Sequence, residues 1–324
     1  MGLLPPGLGL VGDEAGDGRS YAGGMSQGAR PLVAAFLGAF AISFSALFFH
    51  YAAVSALTGA FFRPAYAIPV LAFLWWRSRS RDGRSTGDRW VALGSGVMLA
   101  IDFVCWHLSI GHLGTGLSTL IANAQVVFVA AIAWMFMGER PNRVVLTSIP
   151  MVLVGVALVS GLGRSDAFGA SPLLGTVLAL ASALAYAGFL LAYRRANRVQ
   201  APVVGSLLDA SIGAAATTLL AAPLLGSLDL VPSWPSHGWL LALALLCQVV
   251  GWLAIGYALP RLPAAETSTF ILLQPVLTMV WGGVLLAERP SLLQLIGAAL
   301  VLGGVGMVAI VSGRRQTVPI QAAA

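Results

Sequence analysis

The feature that most constrains this chain is a succession of apolar runs, each about twenty residues long, separated by only a few polar residues. About 20 mainly apolar residues are what a helix needs to cross a bilayer. Of the 324 residues 58% are apolar and only 9% charged, and the mean hydropathy is +0.87. Soluble domains carry roughly 25% charged residues, so the chain belongs to the membrane class. It has no room for a sizeable soluble domain.

Apolar runs read against turn and charge signals give ten spans, at 32–52, 56–76, 90–110, 116–137, 144–162, 173–193, 203–225, 238–258, 264–286 and 292–312. The expected fold class is an all-α integral membrane protein. Residues 1–30 are Gly-rich, with Asp13, Glu14 and Asp17, and read as a disordered tail; they lack the basic and apolar regions of a signal peptide. Met25 is a candidate start. Residues 313–324 read as a C-terminal tail.

All 18 basic residues are Arg, and the isoelectric point is near 10.0. Nucleic-acid binding would need a basic face on a soluble fold. Here the arginines fall in short loops and set topology instead. With both termini inside, 15 lie on the cytoplasmic side, five of them (Arg77, Arg79, Arg81, Arg84, Arg89) in one loop. Only Arg63, Arg164 and Arg289 fall outside or toward the outer leaflet. That bias predicts cytoplasmic termini in an inner or plasma membrane. Trp75, Trp76 and Trp90 flank the basic loop as interfacial anchors. Cys105 and Cys247 lie inside apolar spans and read as packing residues. No metal or cofactor is expected.

A shift of 149 residues places Gln125 on Gln274, Glu139-Arg140-Pro141 on Glu288-Arg289-Pro290, and Gly155-Val156 on Gly304-Val305. Two five-helix repeats follow, over 32–162 and 173–312. An odd helix count inverts the second copy in the membrane, the arrangement of secondary transporters with a site at the repeat interface.

On these turns the chain resembles the drug/metabolite transporter superfamily, in its EamA-type members, over roughly residues 32–312. That family ends its fourth and ninth helices with a Gly-Glu-Arg-like turn, similar to Gly138-Glu139-Arg140-Pro141 and Ala287-Glu288-Arg289-Pro290 here. It also carries an early Arg in the second helix, as at Arg63, and often a mid-helix Pro in helices four and nine. Pro275 matches that Pro; Val126 stands at the equivalent place in the first half. The resemblance implies a central cavity lined by helices one to four and six to nine. It implies a structural or dimer-facing part for helices five and ten, where Gly297, Gly303, Gly304 and Gly306 suit close contact.

Ionisable groups at membrane depth are costly and so are functional candidates. Arg63 lies about 10 Å into the second span at 1.5 Å per residue, beside Pro64 and Pro69, which read as breaks. Its alternative is an Arg snorkelling to outer headgroups. Asp102 is the deepest charge, with Trp106 and Ser109 on its face; it reads as a partner for Arg63, a cation site or a coupling-proton carrier. His107 lies off that face and reads as packing. Asp209 falls opposite Arg63 at a shift of 146, and Glu266 reads as interfacial. Asn123, Gln125, Gln248 and Gln274 add mid-span hydrogen-bonding groups, and Tyr186 and Trp252 offer stacking surfaces. The expected function is alternating-access transport, in the export direction, of a small organic solute such as an amino acid, a related metabolite or a drug-like compound. Its partners would be the solute, the lipid bilayer, a coupling proton and a second copy in a homodimer. The rivals are an intramembrane enzyme, for which Gly116-Leu117-Ser118-Thr119 is the faint signal, and a channel-like permease.

Overall fold

The computed structural model describes residues 21–137, 143–161, 165–196, 202–226, 228–258 and 264–316. Among the described residues the chain is helical and carries no strand. The elements are α1 (Tyr21–Ser43), α2 (Ser45–Ala52), α3 (Ala56–Ser78), α4 (Thr86–Leu113), α5 (Thr115–Ala122), α6 (Gln125–Met137), α7 (Arg143–Val159), α8 (Pro172–Ala196), α9 (Val203–Leu225), α10 (Trp234–Ala242), a π-helical stretch (Leu243–Gly251), α11 (Trp252–Ala258), α12 (Ala264–Leu285) and α13 (Leu292–Gln316). The turn at Glu139-Arg140-Pro141 and residues 1–20 lie outside the described residues, as do Arg164, Arg198 and Arg261.

Among the described residues, seven helical segments are long and apolar enough to cross a membrane: Arg30–Ala52, Ala56–Arg81, Thr86–Leu113, Thr115–Phe136, Pro172–Ala196, Val203–Leu225 and Trp234–Ala258. In the windows at 144–162, 264–286 and 292–312 the described residues hold the apolar stretches Leu146–Val159, Leu272–Leu285 and Leu292–Met307. Helix α1 begins at Tyr21, inside the segment expected to be a tail.

The two helices that carry the deep charges start on side-chain caps. Ser55 accepts from Thr58 N at 3.1 Å to open α3. Ser85 and Asp88 form a capping box that opens α4, with Asp88 N donating to Ser85 Oγ and Ser85 N to the Asp88 carboxylate. Each cap satisfies donors that a helix start leaves orphaned. Helix α3 runs unbroken through Pro64 and Pro69, which corrects the expected breaks. The fourth span does break, between α5 and α6 at Asn123–Ala124. There Ala124 N reaches back only three residues, to Ile121 O at 2.8 Å. The interruption thus sits in the half that lacks the proline, while Pro275 lies inside a continuous α12.

Glycines let neighbouring backbones approach. A Cβ at Gly96 of α4 would meet Gly213 C of α9 at 2.7 Å. One at Gly155 of α7 would meet Gly297 O of α13 at 2.7 Å, and one at Gly304 would meet Val152 Cγ2 at 2.5 Å. The α7–α13 contact is therefore a small-residue seam, built partly from the positions matched by the 149-residue shift. A second packed body surrounds α4, with Ala60, Leu99, Phe103, Phe189, Ala210 and Ala214 buried together; it holds the charged site.

Candidate functional site

Arg63 is 5% exposed, on the buried face of α3. Its Nε donates to Gln248 Oε1 at 3.1 Å. Its guanidinium lies 4.2 Å over the Phe103 ring and 5.6 Å from the Trp106 ring, distances at which a cation is drawn to an aromatic face. This geometry corrects the snorkelling alternative, because the side chain turns into the bundle. Among the described residues no hydrogen bond reaches its two terminal nitrogens. Gln248 is fully buried, and among the described residues its Nε2 has no partner.

Asp102, 8% exposed, accepts a hydrogen bond from Ser182 of α8 at 2.5 Å. No ion pair within 4.0 Å joins it to Arg63, although each side chain feels the other's charge. Of the three readings offered for Asp102, the direct pair with Arg63 is thereby set aside: the two groups share one cluster, each held by its own neighbour. Ser182 was not singled out in the sequence. A serine one helix away carries no local signal, since its value comes only from the packing of α8 on α4.

Tyr186 and Trp252 form a half-buried aromatic wall beside these groups. Their rings meet edge-on at 6.2 Å, and Trp252 also meets Phe189 at 5.8 Å. Gln248 and Cys247 lie on the π-helical stretch Leu243–Gly251, a distortion often found at functional sites. Cys247 donates to Ala41 O at 3.1 Å.

His107 is half satisfied rather than simply packed. Its Nδ1 donates to Ala56 O at 3.2 Å, its ring lies flat on Phe49 at 3.8 Å and 9°, and Nε2 is buried without a partner among the described residues. Ser109 bonds both the Ser118 hydroxyl, at 2.8 Å, and Gly175 O, at 2.7 Å. Ser118, the residue behind the enzyme rival, is thereby part of a packing contact between α4, α5 and α8.

Four of the expected site residues fall elsewhere. Asp209 does not face Arg63; it accepts from Arg84 Nη1 at 2.8 Å, at the Arg-rich end of the bundle. The reason is Gly205, where a Cβ would collide with the Arg84 guanidinium, so the loop arginine can dip against α9. Asn123 uses its amide nitrogen on Thr119 O at 2.8 Å, at the α5–α6 break. Gln125 has a buried Oε1 without a partner among the described residues, and Gln274 is half-buried on α12. Among the described residues no hydrogen bond joins either glutamine to the Arg63 cluster. Glu266 lies among residues whose side chains are not described.

The Arg-rich end is tied by a compact network. Arg84 donates Nε and Nη2 to the two Asp82 oxygens, each at 2.9 Å, and Nη1 also to Ser206 at 3.0 Å. Trp75 Nε1 donates to Asp82 at 2.7 Å. The Arg84 hydrogen bonds, with help from Trp75 and against the cost of burial, hold the Asp82 carboxyl well below the usual carboxylate range. Burial acts to lower Arg84, but Asp82 and Asp209 outweigh it and leave the guanidinium above its ordinary value.

The opposite end holds a second carboxylate contact. Glu288 accepts from Thr115 N at 2.5 Å and Thr115 Oγ1 at 2.7 Å, and from Gly116 N at 3.1 Å. It caps α5 from a turn 173 residues away, where the local N-cap, Gly114, has no side chain to do so.

Comparison with known proteins places this architecture. The EamA-like transporter family matches residues 29–161 and 173–310. An uncharacterized transporter of Bacillus subtilis is 24% identical over 250 residues, covering 73% of this chain and 78% of its own. A pseudopaline exporter of Pseudomonas aeruginosa is 27% identical over 213 residues, 64% of this chain and 70% of its own. A probable terminal-alkyne amino-acid exporter of Streptantibioticus cattleyicolor is 26% identical over 209 residues, 61% and 65% of the two chains. A protein of known crystal structure superposes with a TM-score of 0.57 over 89% of this chain and 99% of its own, at 21% identity, which shows a common fold.

Proposed function

The chain belongs to the EamA-like transporter family, and from that premise we propose that it exports a small amino-acid-like solute through the Arg63 cluster. In this reading the chain has ten spans in two inverted repeats, with cytoplasmic termini, in an inner or plasma membrane. The observation that carries the reading is the buried Arg63 guanidinium, fixed by Gln248 and Phe103 with its terminal nitrogens unpartnered. A charge so placed needs compensation, and a planar, bidentate donor suits a carboxylate.

Asp102 complements it. With one oxygen bonded to Ser182, the carboxylate offers the other to an ammonium group. Arg63 and Asp102 then take the two ends of a zwitterion, while Tyr186 and Trp252 contact the apolar body. When the solute leaves, Asp102 loses its countercharge, and a proton is the smallest replacement. Exchange of solute ammonium for a proton on Asp102 couples export to an inward proton gradient. The names of two relatives, exporters of an amino acid and of pseudopaline, agree with an outward direction.

The test is binding and counterflow in proteoliposomes across a library of amino acids, their decarboxylated amines and their deaminated acids. The zwitterions should bind best, and Arg63→Gln should abolish discrimination between amino acids and amines. Equal binding of all three classes by the unaltered protein would remove this reading.

A further inference from the structure

A cavity of about 660 Å³ opens at the Arg-poor end, lined by the α2–α3 turn, the last turns of α4, Gly114, Phe168 and Glu288. His107 and Phe49 both line it. His107 lies 6.4 Å from Phe103, whose face carries Arg63. The cavity thus ends one aromatic layer short of the Arg63 cluster, with the unpartnered His107 Nε2 at that boundary.

Beside it stands a helix held at both ends in unusual ways. The eight residues of α5 stop at the Asn123–Ala124 break. At the other end the N–H groups of Thr115 and Gly116, orphaned by the helix start, are satisfied only across the structure, by Glu288. The fit is specific. A Cβ at Gly114 would stand 3.1 Å from Glu288 Cδ, and one at Gly282 would meet Thr115 Oγ1 at 2.8 Å and overlap the Glu288 carboxylate. An ordinary cap comes from the neighbouring residue and moves with its helix. This one breaks whenever α5 and the end of α12 separate.

We propose that α5 is a hinged gate that meets the cavity wall at its N-cap, Gly114, with Asn123–Ala124 as its hinge and Glu288 as its latch. With the latch closed, the Arg63 cluster is sealed from the Arg-poor side. With it open, the cavity and the cluster join, and solute leaves along that path. Glu288 is in this sense an access-controlling residue, set at the cavity wall and away from the Arg63 cluster. The inference rests on the Arg63 cluster being the solute site, but its test does not depend on solute.

Cys247 sits fully buried in the layer with Phe49 and Trp106, so its reactivity reports opening. In the full chain, Cys105→Ser leaves Cys247 as the single thiol of the two. Labelling by a membrane-impermeant cationic methanethiosulfonate is then followed in right-side-out and inverted vesicles. Glu288→Gln should raise the labelling rate at one face tenfold or more, with the melting temperature of the protein little changed. Thr115→Val, which deletes one donor and leaves the backbone intact, should raise it several-fold, and it carries the test if Glu288→Gln does not assemble. Labelling unchanged at both faces overturns the latch. Faster labelling together with an Arg63→Gln variant that still selects zwitterions would keep the latch and discard the solute site.

Discussion

Arg63 and Asp102 share one buried cluster without touching. Arg63 is held by Gln248 and the Phe103 ring, Asp102 by Ser182. Two opposite charges held by their own neighbours keep donor and acceptor capacity that a closed pair would spend on itself.

This geometry sets a stability test. Arg63→Gln and Asp102→Asn should each remain folded and inserted, and the double variant should show a coupling below about 1 kcal/mol in melting experiments. A closed buried pair would instead show singles that lose about 3–5 kcal/mol and a double that recovers it. Such recovery would falsify the open arrangement.

Gln248 orients Arg63 through a single acceptor oxygen. Gln248→Leu should raise the KM for a zwitterionic solute about tenfold, the factor that corresponds to ~1.4 kcal/mol, because the guanidinium loses its fixed azimuth. Gln248→Glu is the sharper probe. Its carboxylate would stay bonded to Arg63 and compete with the solute's own, so transport should fall further than in the Leu variant while thermal stability holds. Kinetics of the two variants side by side decide the point.

At the Arg-rich end the expected effects are structural. Arg84→Ala leaves Asp82 and Asp209 without their cation and should destabilise the protein by about 3 kcal/mol, near the lower limit for breaking a buried pair. Asp209→Asn keeps Arg84 bonded to Asp82 and Ser206, and should transport normally. The pH dependence follows from the depressed Asp82 carboxyl. Its stabilisation is complete above the ordinary unfolded value near 4 and is lost only as the pH falls below that toward the folded value. Unfolding curves of the parent protein and Asp82→Asn should therefore keep a constant gap from pH 7 to 5 and converge below about pH 4.

Ala287 precedes the latch residue with φ at 55°, in the left-handed region that costs a residue with a Cβ roughly 1–2 kcal/mol. Ala287→Gly should be neutral or stabilise by up to about 1 kcal/mol, since glycine loses more chain entropy on folding. A clear loss of stability in a melting assay would show that the alanine methyl packs where the backbone geometry gives no sign of it.

The all-helical membrane class was legible because bilayer physics simplifies it. Run length marks the seven windows where the described residues carry long apolar helices, and Arg63, Asp102, Gln248, Tyr186 and Trp252 stand out because polar and aromatic side chains are conspicuous in apolar helices. What the chain did not disclose depends on contacts between distant segments. Asp209 lay opposite Arg63 under a shift of the sequence, but an arginine from the 79–85 loop reaches it past Gly205. Ser182 is ordinary by composition and acquires meaning only from Asp102. Prolines misled in both directions, since α3 absorbs Pro64 and Pro69 while the fourth span breaks where no proline stands. Glu288 was visible as a motif, but the donors it serves lie in the other half of the chain.

The π-helical stretch at Leu243–Gly251 has a consequence for descent. In a π-helix each carbonyl bonds five residues ahead rather than four, so a π segment houses surplus chain without disturbing the helix on either side. Gaining or losing a single codon there rotates Gln248 toward or away from Arg63 while α10 and α11 keep their places. If the proposed solute site holds, a lineage built on this fold changes which solutes it accepts by a change in length, with no need to replace any residue that lines the site.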